Sequence, residues 1–387
     1  MQLGAPGSGS SAGSGCRAPS MHLYLAPSGE VRACCNHQQP LGWIPHERLA
    51  DVWRGQRRTD LVAALAVDDY SRGCWTCQDE TALEGRAASY AAVFDDEPLP
   101  GPGGWPTYVE FNLSNRCNLR CVQCNPELSS AIRALTDLPP LAGAYDDQFF
   151  EDLREFLPHL HRAQFAGGEP FLAPENYRVW DLVEELAPGL DVTVVTNATH
   201  LTPKVRDVLE RVPMSIVLSL DGASATTFES IRLGASFDEV VDHVDWFADY
   251  ARRAGTRCSV NHCLMPQNVH EFGDLLCFAE DRGLPVRVSV VRAPADCALS
   301  MLPADDLVAT AGRMRSQDAD LRRRLELNRG VWERELARIE SWAAASSSVR
   351  AAAYGRTRAD TVDPFARPGA VVDIDGVRDG LRAASVD

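Results

Sequence analysis

The sequence has no long apolar runs and is short of basic residues. No stretch of about 18 consecutive apolar residues occurs, so no membrane-spanning helix is expected. Lysine occurs once, at Lys204, and 38 basic against 54 acidic residues give a net charge of −16 over 387 residues. Because this charge repels polyanions, we expect neither nucleic acid nor a membrane as a partner.

Residues 1–15 are rich in Gly and Ser and lack both the basic and the apolar region of a secretory signal. We predict a flexible N-terminus without such a signal. The 12 cysteines fall mostly in short clusters of a long chain, which favours metal ligation in a reducing compartment over a disulfide framework. The expected location is therefore the cytoplasm.

Composition divides the chain at a linker, residues 95–106, whose Pro and Gly density stops both helix and sheet. A Cys-containing segment, 16–94, precedes the linker. The main body, 107–303, follows it, and an Ala/Arg/Ser-rich tail, 304–387, comes last. In the tail we expect two helices, Asp305–Ser316 and Asn328–Ala345, with Trp332 and Trp342 docked on the body and the last thirty or so residues loosely ordered.

The main body alternates short apolar runs with amphipathic stretches. The predicted strands are Thr107–Leu113, Arg162–Phe165, Asp191–Thr196, Ser215–Leu220, Arg257–His262 and Val286–Val291. The predicted helices are Asp147–Leu157, Asn176–Leu186, Pro203–Arg211, Phe237–Ala254 and Val269–Arg282. Six such units predict an α/β fold in which a parallel sheet with right-handed crossovers curls into a full or partial barrel.

Polar motifs follow the first four predicted strands. They are the stretch from Cys117 to Cys124, the run Gly167-Gly168-Glu169-Pro170, Asn197, and Asp221-Gly222. Since the carboxyl ends of barrel strands share one face, we expect these loops to build a single pocket.

Cys117, Cys121 and Cys124 have CxxxCxxC spacing on the first of these loops. Three thiolates hold three corners of a cubane iron–sulfur cluster and leave one iron open. A structural zinc site prefers four protein ligands, so three isolated cysteines fit zinc poorly. The motif therefore predicts a reactive cluster.

This spacing resembles the signature of the radical S-adenosylmethionine (SAM) superfamily. The resemblance implies a partial (β/α)6 barrel and a catalytic [4Fe–4S] cluster on Cys117, Cys121 and Cys124. It further implies that SAM chelates the open iron and is cleaved to a 5′-deoxyadenosyl radical, with electrons from a ferredoxin- or flavodoxin-type donor. One position departs from the family pattern, because Gln123 stands where an aromatic residue commonly contacts adenine.

The resemblance extends to the other loops. Gly167, Gly168, Glu169 and Pro170 are similar to the GGEP motif that binds the amino group of SAM. Ser219 and Arg232 match the element that contacts the ribose and the methionine carboxylate; the alternative is a simple turn at Asp221-Gly222 with a solvated Arg232. Thr196, Asn197 and Asn261 are further candidates for cofactor binding at strand ends.

The N-terminal segment resembles the opening of the SPASM domain and its shorter relative, the twitch domain, placed ahead of the barrel. The similarity rests on the spacing of Cys16, Gly29 and Cys34 and on the pair Cys74 and Cys77. It implies that Cys16, Cys34, Cys74 and Cys77 ligate an auxiliary [4Fe–4S] cluster, with Cys35 as the alternative to Cys34 and zinc as the competing metal. We predict a hairpin over Leu25–Val31 that presents Cys34 on its return strand. Four other cysteines, Cys258, Cys263, Cys277 and Cys297, lack ligand spacing and are expected in the core.

SPASM and twitch relatives act mostly on ribosomal peptides, so the resemblance implies a radical SAM oxidoreductase that abstracts hydrogen from an unactivated carbon of a peptide or natural-product precursor. Oxidation, epimerisation and crosslinking all begin with this abstraction. Two alternatives stay open: a non-catalytic, metal-bound binding module with structural zinc in its N-terminal domain, and an electron carrier that does not use SAM.

Overall fold

The structure is a computed structural model that describes residues 15–101, 103–136 and 138–354. Almost all of the N-terminal segment predicted to be flexible, and the end of the tail from residue 355 onward, lie outside the described residues. In the part of the chain that the structure describes, no helix is long and apolar enough to cross a membrane.

Nine strands form one sheet within the described residues. They are β1 His22–Leu25, β2 Glu30–Arg32, β3 Gly42–Trp43, β4 Tyr108–Phe111, β5 Arg162–Phe165, β6 Asp191–Thr196, β7 Met214–Ser219, β8 Cys258–Leu264 and β9 Val286–Val290. The spatial order is β3-β2-β1-β4-β5-β6-β7-β8-β9, and β4 to β9 pair in parallel in sequence order. The six predicted strands and their parallel pairing are therefore confirmed, as is the partial barrel of the predicted fold.

Fourteen α-helices are described: α1 Ala18–Met21, α2 Leu49–Arg54, α3 Gln56–Leu65, α4 Trp75–Glu84, α5 Ser130–Leu135, α6 Asp147–Phe156, α7 Pro174–Leu186, α8 Pro203–Arg211, α9 Ala225–Ile231, α10 Phe237–Ala254, α11 Phe272–Glu280, α12 Ala304–Arg324, α13 Arg329–Ala344 and α14 Ser347–Tyr354. Local sequence sets several boundaries. The side chain of Thr202 accepts a hydrogen bond from Val205 N ahead of Pro203, the first residue of α8. Gly255, with φ of 69°, ends α10.

Alternation along the strands separates two faces of the sheet. In β4, Val109 and Phe111 pack into the main hydrophobic core, whereas Glu110 points to the opposite face. In β9, Val286, Val288 and Val290 likewise pack on that core, and Arg287 and Ser289 do not. The inner face of the barrel, which we call the lumen, is therefore lined with polar side chains.

The N-terminal segment joins this sheet. Strand β1 pairs in parallel with β4, with Leu25 opposite Phe111, and β1 and β2 form the predicted hairpin, with Tyr24 opposite Arg32. Gly29 in the turn has φ of 86°, and a Cβ there would lie 2.2 Å from Ile44 O. The expectation that Cys34 lies on the return strand is wrong, because β2 ends at Arg32. The division into separate domains at residues 95–106 stays a prediction.

The segment also reaches the other side of the barrel. Glu80 on α4 forms an ion pair with Arg292, just after β9, and α14 packs against α4. Helix α4 therefore contacts the segment that follows the last strand, β9, while β1 pairs with β4, the first strand of the barrel.

Both predicted tail helices are observed, the first extending to Arg324. Trp332 on α13 is fully buried, stacks on Phe272 of α11 at 5.9 Å and donates to Asp318 Oδ1 at 2.9 Å. Trp342 is also buried and packs edge-on against Tyr354. The tail thus covers the β8–β9 side of the barrel, as expected for the two tryptophans.

Candidate active site

The loop that carries Cys117, Cys121 and Cys124 follows β4 and is fixed at both ends. Arg120 N donates to Leu233 O and Val122 N donates to Ile231 O, both at 3.0 Å. Ser129 Oγ donates to Leu119 O at 2.8 Å, and Ser130 Oγ accepts from Cys117 N at 3.1 Å. The loop is therefore held between the start of α5 and the segment after α9.

Burial governs the ionisation of the three thiols. It raises the pKa of Cys121 to about 11 and the pKa of Cys124 to about 12, and it also raises the pKa of Cys117. The neighbouring thiolates of the trio raise the pKa values of Cys121 and Cys124 further. Iron binding must therefore displace a proton from each sulfur.

The sulfurs are not arranged around a single ion. Among the described residues, no three His, Cys, Asp or Glu side chains converge on one metal-ion position. A cubane cluster needs a wider arrangement, because each thiolate binds a different iron.

The Gly-Gly-Glu run after β5 lies directly against the cysteine loop. Glu169 N donates to Arg116 O at 2.7 Å, and Gly168 N donates to Ser114 O at 3.1 Å. A Cβ on Gly168 would lie 2.2 Å from Arg116 O, and Gly167 has φ of 105°. The two glycines are therefore needed for this close backbone contact. Pro170 begins a short 3-10 helix and is buried.

Glu169 is 1% exposed and accepts three hydrogen bonds. The donors are Thr196 Oγ1 at 2.8 Å, Asn197 N at 2.8 Å and Phe171 N at 3.2 Å. Burial raises the pKa of Glu169 to about 7, and the three donors oppose this shift. Asn197 Nδ2 in turn lies 3.1 Å from Asn118 Oδ1 and 3.9 Å from Cys117 Sγ, so Thr196, Asn197 and Glu169 meet beside the cysteine loop.

A second buried carboxylate, Asp221, contacts the loop from the other side. Its Oδ2 accepts from Gln123 Nε2 and pairs with Arg232 Nη2, each at 2.7 Å, and its Oδ1 accepts from Cys263 N at 2.7 Å. Arg232 Nη1 lies 4.0 Å from Cys121 Sγ. The alternative of a solvated Arg232 is wrong, because Arg232 is buried against Asp221. The sequence analysis placed Asp221 among the polar residues of the pocket but predicted neither its pairing with Arg232 nor its contact with the cysteine loop.

Ser219 and Asn261 lie on the neighbouring strands β7 and β8. They are paired across β7 and β8, both are half-buried, and Asn261 Oδ1 accepts from Ser289 Oγ at 2.8 Å. Cys277 and Cys297 are buried, as expected of core cysteines, whereas Cys258 and Cys263 are half-buried.

Two buried polar atoms beside the cysteine loop lack hydrogen-bond partners in the described residues: Arg232 Nε and Gln123 Oε1. One is a donor that suits a carboxylate, and the other is an acceptor that suits an N–H group. An α-amino acid group, such as that of SAM, supplies both. The residues present therefore fit a cluster on the three thiolates with SAM next to it.

Four cysteines of the N-terminal segment line a small cavity that is separate from the cysteine loop. Cys16, Cys34, Cys74 and Cys77 all line it, together with apolar neighbours such as Leu65 and Tyr70. Burial is the main reason why the pKa of Cys34 is raised. The neighbouring thiols raise it as well, namely Cys35, Cys77, Cys16 and Cys74. These four thiols fit a fully ligated cluster.

Cys35 does not line that cavity. Burial raises its pKa to about 12, and the charges that act on it are Glu110 of β4 and Arg32 and Arg287 on the lumen side. The structure therefore favours Cys34 over Cys35 as the fourth sulfur of the auxiliary set.

Glu110 and Arg287 are lumen residues that the sequence analysis missed. Glu110 is 5% exposed, burial raises its pKa, and its Oε2 has no hydrogen-bond partner in the described residues. Arg287 is exposed and acts electrostatically on both Glu110 and Cys35. The signal in the sequence was a charged residue at an inward position between two apolar ones, as in Val109-Glu110-Phe111.

Comparison with protein families agrees with this geometry. Residues 111–279 match the radical SAM superfamily, and residues 16–78 match an iron–sulfur cluster-binding domain, SPASM. The chain therefore contains a radical SAM domain and, ahead of it, a SPASM domain. Its cofactors are accordingly a [4Fe–4S] cluster and SAM.

Similar curated proteins align with only about half of the chain. A GTP 3′,8-cyclase of Listeria welshimeri is 28% identical over 185 residues, which cover 46% of this chain and 52% of the relative. A GTP 3′,8-cyclase of Rhizobium etli is 28% identical over 213 residues, which cover 53% of this chain and 57% of the relative. The matches thus span about half the length of these relatives.

Among solved structures, SuiB of Streptococcus suis bound to the precursor peptide SuiA is similar with a TM-score of 0.42 and 18% identity, over 62% of this chain and 51% of SuiB. The protein anSMEcpe with bound AdoMet is similar with a TM-score of 0.41 and 14% identity, over 55% of this chain and 60% of that protein.

Proposed function

We propose that this chain is an oxidoreductase that uses SAM to abstract a hydrogen atom from an unactivated carbon of a peptide or natural-product precursor, with a second cluster on Cys16, Cys34, Cys74 and Cys77. The observation that carries the proposal is the meeting of the cysteine loop, Glu169 and Arg232 at one end of the barrel, beside buried polar atoms left without partners.

The bound cofactors supply a 5′-deoxyadenosyl radical. Cys117, Cys121 and Cys124 would hold the cluster that supplies this radical for hydrogen abstraction. Cys16, Cys34, Cys74 and Cys77 would hold a cluster able to accept the electron that an oxidised substrate releases together with a proton. The proposed contacts to SAM are six polar side chains: Glu169, Ser219, Arg232, Thr196, Asn197 and Asn261. The reducing electron is proposed to come from a low-potential ferredoxin- or flavodoxin-type donor.

The side chains of the lumen suit a substrate that carries neutral or singly charged groups. Glu110 offers a free carboxylate oxygen to an N–H donor, and Arg287 offers an exposed guanidinium to a carbonyl or carboxylate. Peptides carry both kinds of group. We propose Glu110 and Arg287 as substrate-contacting residues.

A nucleotide is the second candidate, favoured by the similarity to GTP 3′,8-cyclases. A triphosphate needs several unpaired cations. In the described lumen, Arg32 lies beside Glu30, and Arg287 lies near Glu110, so acidic groups offset both cations. The charge distribution therefore favours the peptide or natural-product precursor.

The test is turnover by anaerobically reconstituted, reduced enzyme with SAM. We expect a peptide encoded next to this gene to lose hydrogen or to gain a crosslink or an inverted stereocentre, detected by mass spectrometry and chiral amino-acid analysis. GTP serves as the competing substrate. Conversion of GTP with no change in the peptide would contradict the proposed substrate class, and zinc without iron would support the binding module instead.

A further inference from the structure

The pair Asp221–Arg232 is a buried ion pair that contacts the cysteine loop. Asp221 is 0% exposed and Arg232 is 6% exposed, and their closest atoms, Oδ2 and Nη2, lie 2.7 Å apart. The same guanidinium reaches Cys121 Sγ through Nη1 at 4.0 Å. One positive and one negative charge are thus fixed beside a sulfur that binds the catalytic cluster.

Three elements fix the carboxylate in place. Gln123 of the loop and Cys263 N of β8 donate to its two oxygens, and Arg232 follows α9. The backbone bonds from Arg120 and Val122 to residues 233 and 231 fix the loop to the same segment. Because the pair is buried, solvent screens its charges little.

Reduction adds one negative charge to a cluster. A nearby cation lowers the free energy of the reduced form, and a nearby anion raises it. Hydrogen bonds to cluster sulfur and the net charge around it are established determinants of reduction potential.

We propose that Asp221 and Arg232 together set the reduction potential of the cluster bound by Cys117, Cys121 and Cys124. Arg232 raises the potential through its charge and its contact with Cys121. Asp221 offsets part of that effect and holds the guanidinium in position. Asp221 is the positioning residue of the pair, and the hydrogen bond from Gln123 to Asp221 joins the loop to it at the position where family members commonly have an aromatic residue.

The test is an EPR-monitored redox titration of the reconstituted holoenzyme. The signal that changes on addition of SAM identifies the catalytic cluster among the two. We expect Arg232→Gln to lower the reduction potential of the catalytic cluster and Asp221→Asn to raise it. Arg232→Lys, which keeps the charge, should shift the potential less than Arg232→Gln.

A matched control is Arg338→Gln. It removes the half-buried cation of another ion pair, Arg338–Glu335, which lies within α13 of the tail. We expect it to leave the potential unchanged. Iron content and thermal unfolding are measured for every variant, and if Arg232→Gln does not hold a cluster, the isosteric Asp221→Asn decides the question.

The proposal would be overturned if Arg232→Gln and Asp221→Asn changed the reduction potential in the same direction. It would also be overturned if neither changed the potential more than the control variant does. These measurements need no substrate, so they remain decisive even if the proposed peptide or natural-product substrate is wrong.

Discussion

Cys34 and Cys35 are adjacent in the chain, but only Cys34 lines the cavity of the auxiliary cysteines. Cys34 lines the cavity shared with Cys16, Cys74 and Cys77, whereas Cys35 is acted on by Glu110 and Arg287 of the lumen. The two neighbouring thiols therefore have different surroundings.

This arrangement predicts different iron contents for two neighbouring variants. Cys34→Ala should lower the iron content from about eight to about four per chain, because a four-thiolate cluster loses a ligand. Cys35→Ala should keep about eight. Iron and sulfide analysis after anaerobic reconstitution measures both, and the reverse result would assign Cys35 to the auxiliary cluster.

The auxiliary cluster should matter for the substrate but not for SAM cleavage. We expect Cys74→Ala to retain abortive formation of 5′-deoxyadenosine and to lose conversion of the substrate, because the substrate electron then has no acceptor. Both products are quantified by chromatography. Normal substrate turnover in Cys74→Ala would exclude the proposed electron-accepting role.

Gly168 should tolerate no side chain. A Cβ would lie 2.2 Å from Arg116 O, so Gly168→Ala must displace the cysteine loop, at a cost of about 1–3 kcal/mol in unfolding free energy and with loss of cluster binding. The matched control is Gly189→Ala, where no atom lies within 4 Å of the added Cβ. Chemical denaturation and iron content measure the effect, and equal behaviour of the two variants would argue against the described contact.

Glu169 should make SAM binding dependent on pH. Burial raises its pKa to about 7, so acidification from about pH 8 to about pH 6 protonates it and weakens its acceptance of a hydrogen bond from the SAM amino group. Affinity should fall over this range, by at most about tenfold per pH unit below the pKa. Glu169→Gln should bind more weakly and with less pH dependence, as measured by anaerobic calorimetry. Identical pH profiles in the two proteins would refute this role for Glu169.

The raised pKa of Glu169 also makes the free energy of unfolding depend on pH. A carboxyl whose pKa is raised on folding adds stability below its unfolded pKa, and this contribution disappears as the pH rises through about 7. The apoprotein should therefore lose more stability between about pH 5 and pH 8 than Glu169→Gln does. Denaturation curves at both pH values measure the unfolding free energy of the two proteins. A larger loss of stability in Glu169→Gln than in the wild-type protein would contradict the predicted direction.

The sequence was sufficient to predict the core strands and the single loop that carries Cys117, Cys121 and Cys124. Periodicity located Asp191–Thr196, Pro203–Arg211 and Phe237–Ala254 with the bounds that the structure shows. Loop spacing located Cys117, Cys121 and Cys124 because all three are local to one motif.

Contacts between distant segments were not predictable in this way. Asp221 pairs with Gln123, which is 98 residues away, and its Asp-Gly context has the pattern of an ordinary turn. The parallel pairing of β1 with β4 links residues more than 80 positions apart, so the N-terminal hairpin gave no local sign that it extends the barrel sheet. Gln123, a departure from the family pattern, became interpretable only once its hydrogen bond to Asp221 was seen.

The central claim is that Cys117, Cys121 and Cys124 hold a cluster at which SAM is bound and cleaved. The most direct measurement is 5′-deoxyadenosine formed by anaerobically reconstituted protein with SAM and a low-potential reductant. We expect the wild-type protein to form it and Cys117→Ala to form none. Protein that holds iron but forms no 5′-deoxyadenosine, or a Cys117→Ala variant as active as wild type, would contradict the claim.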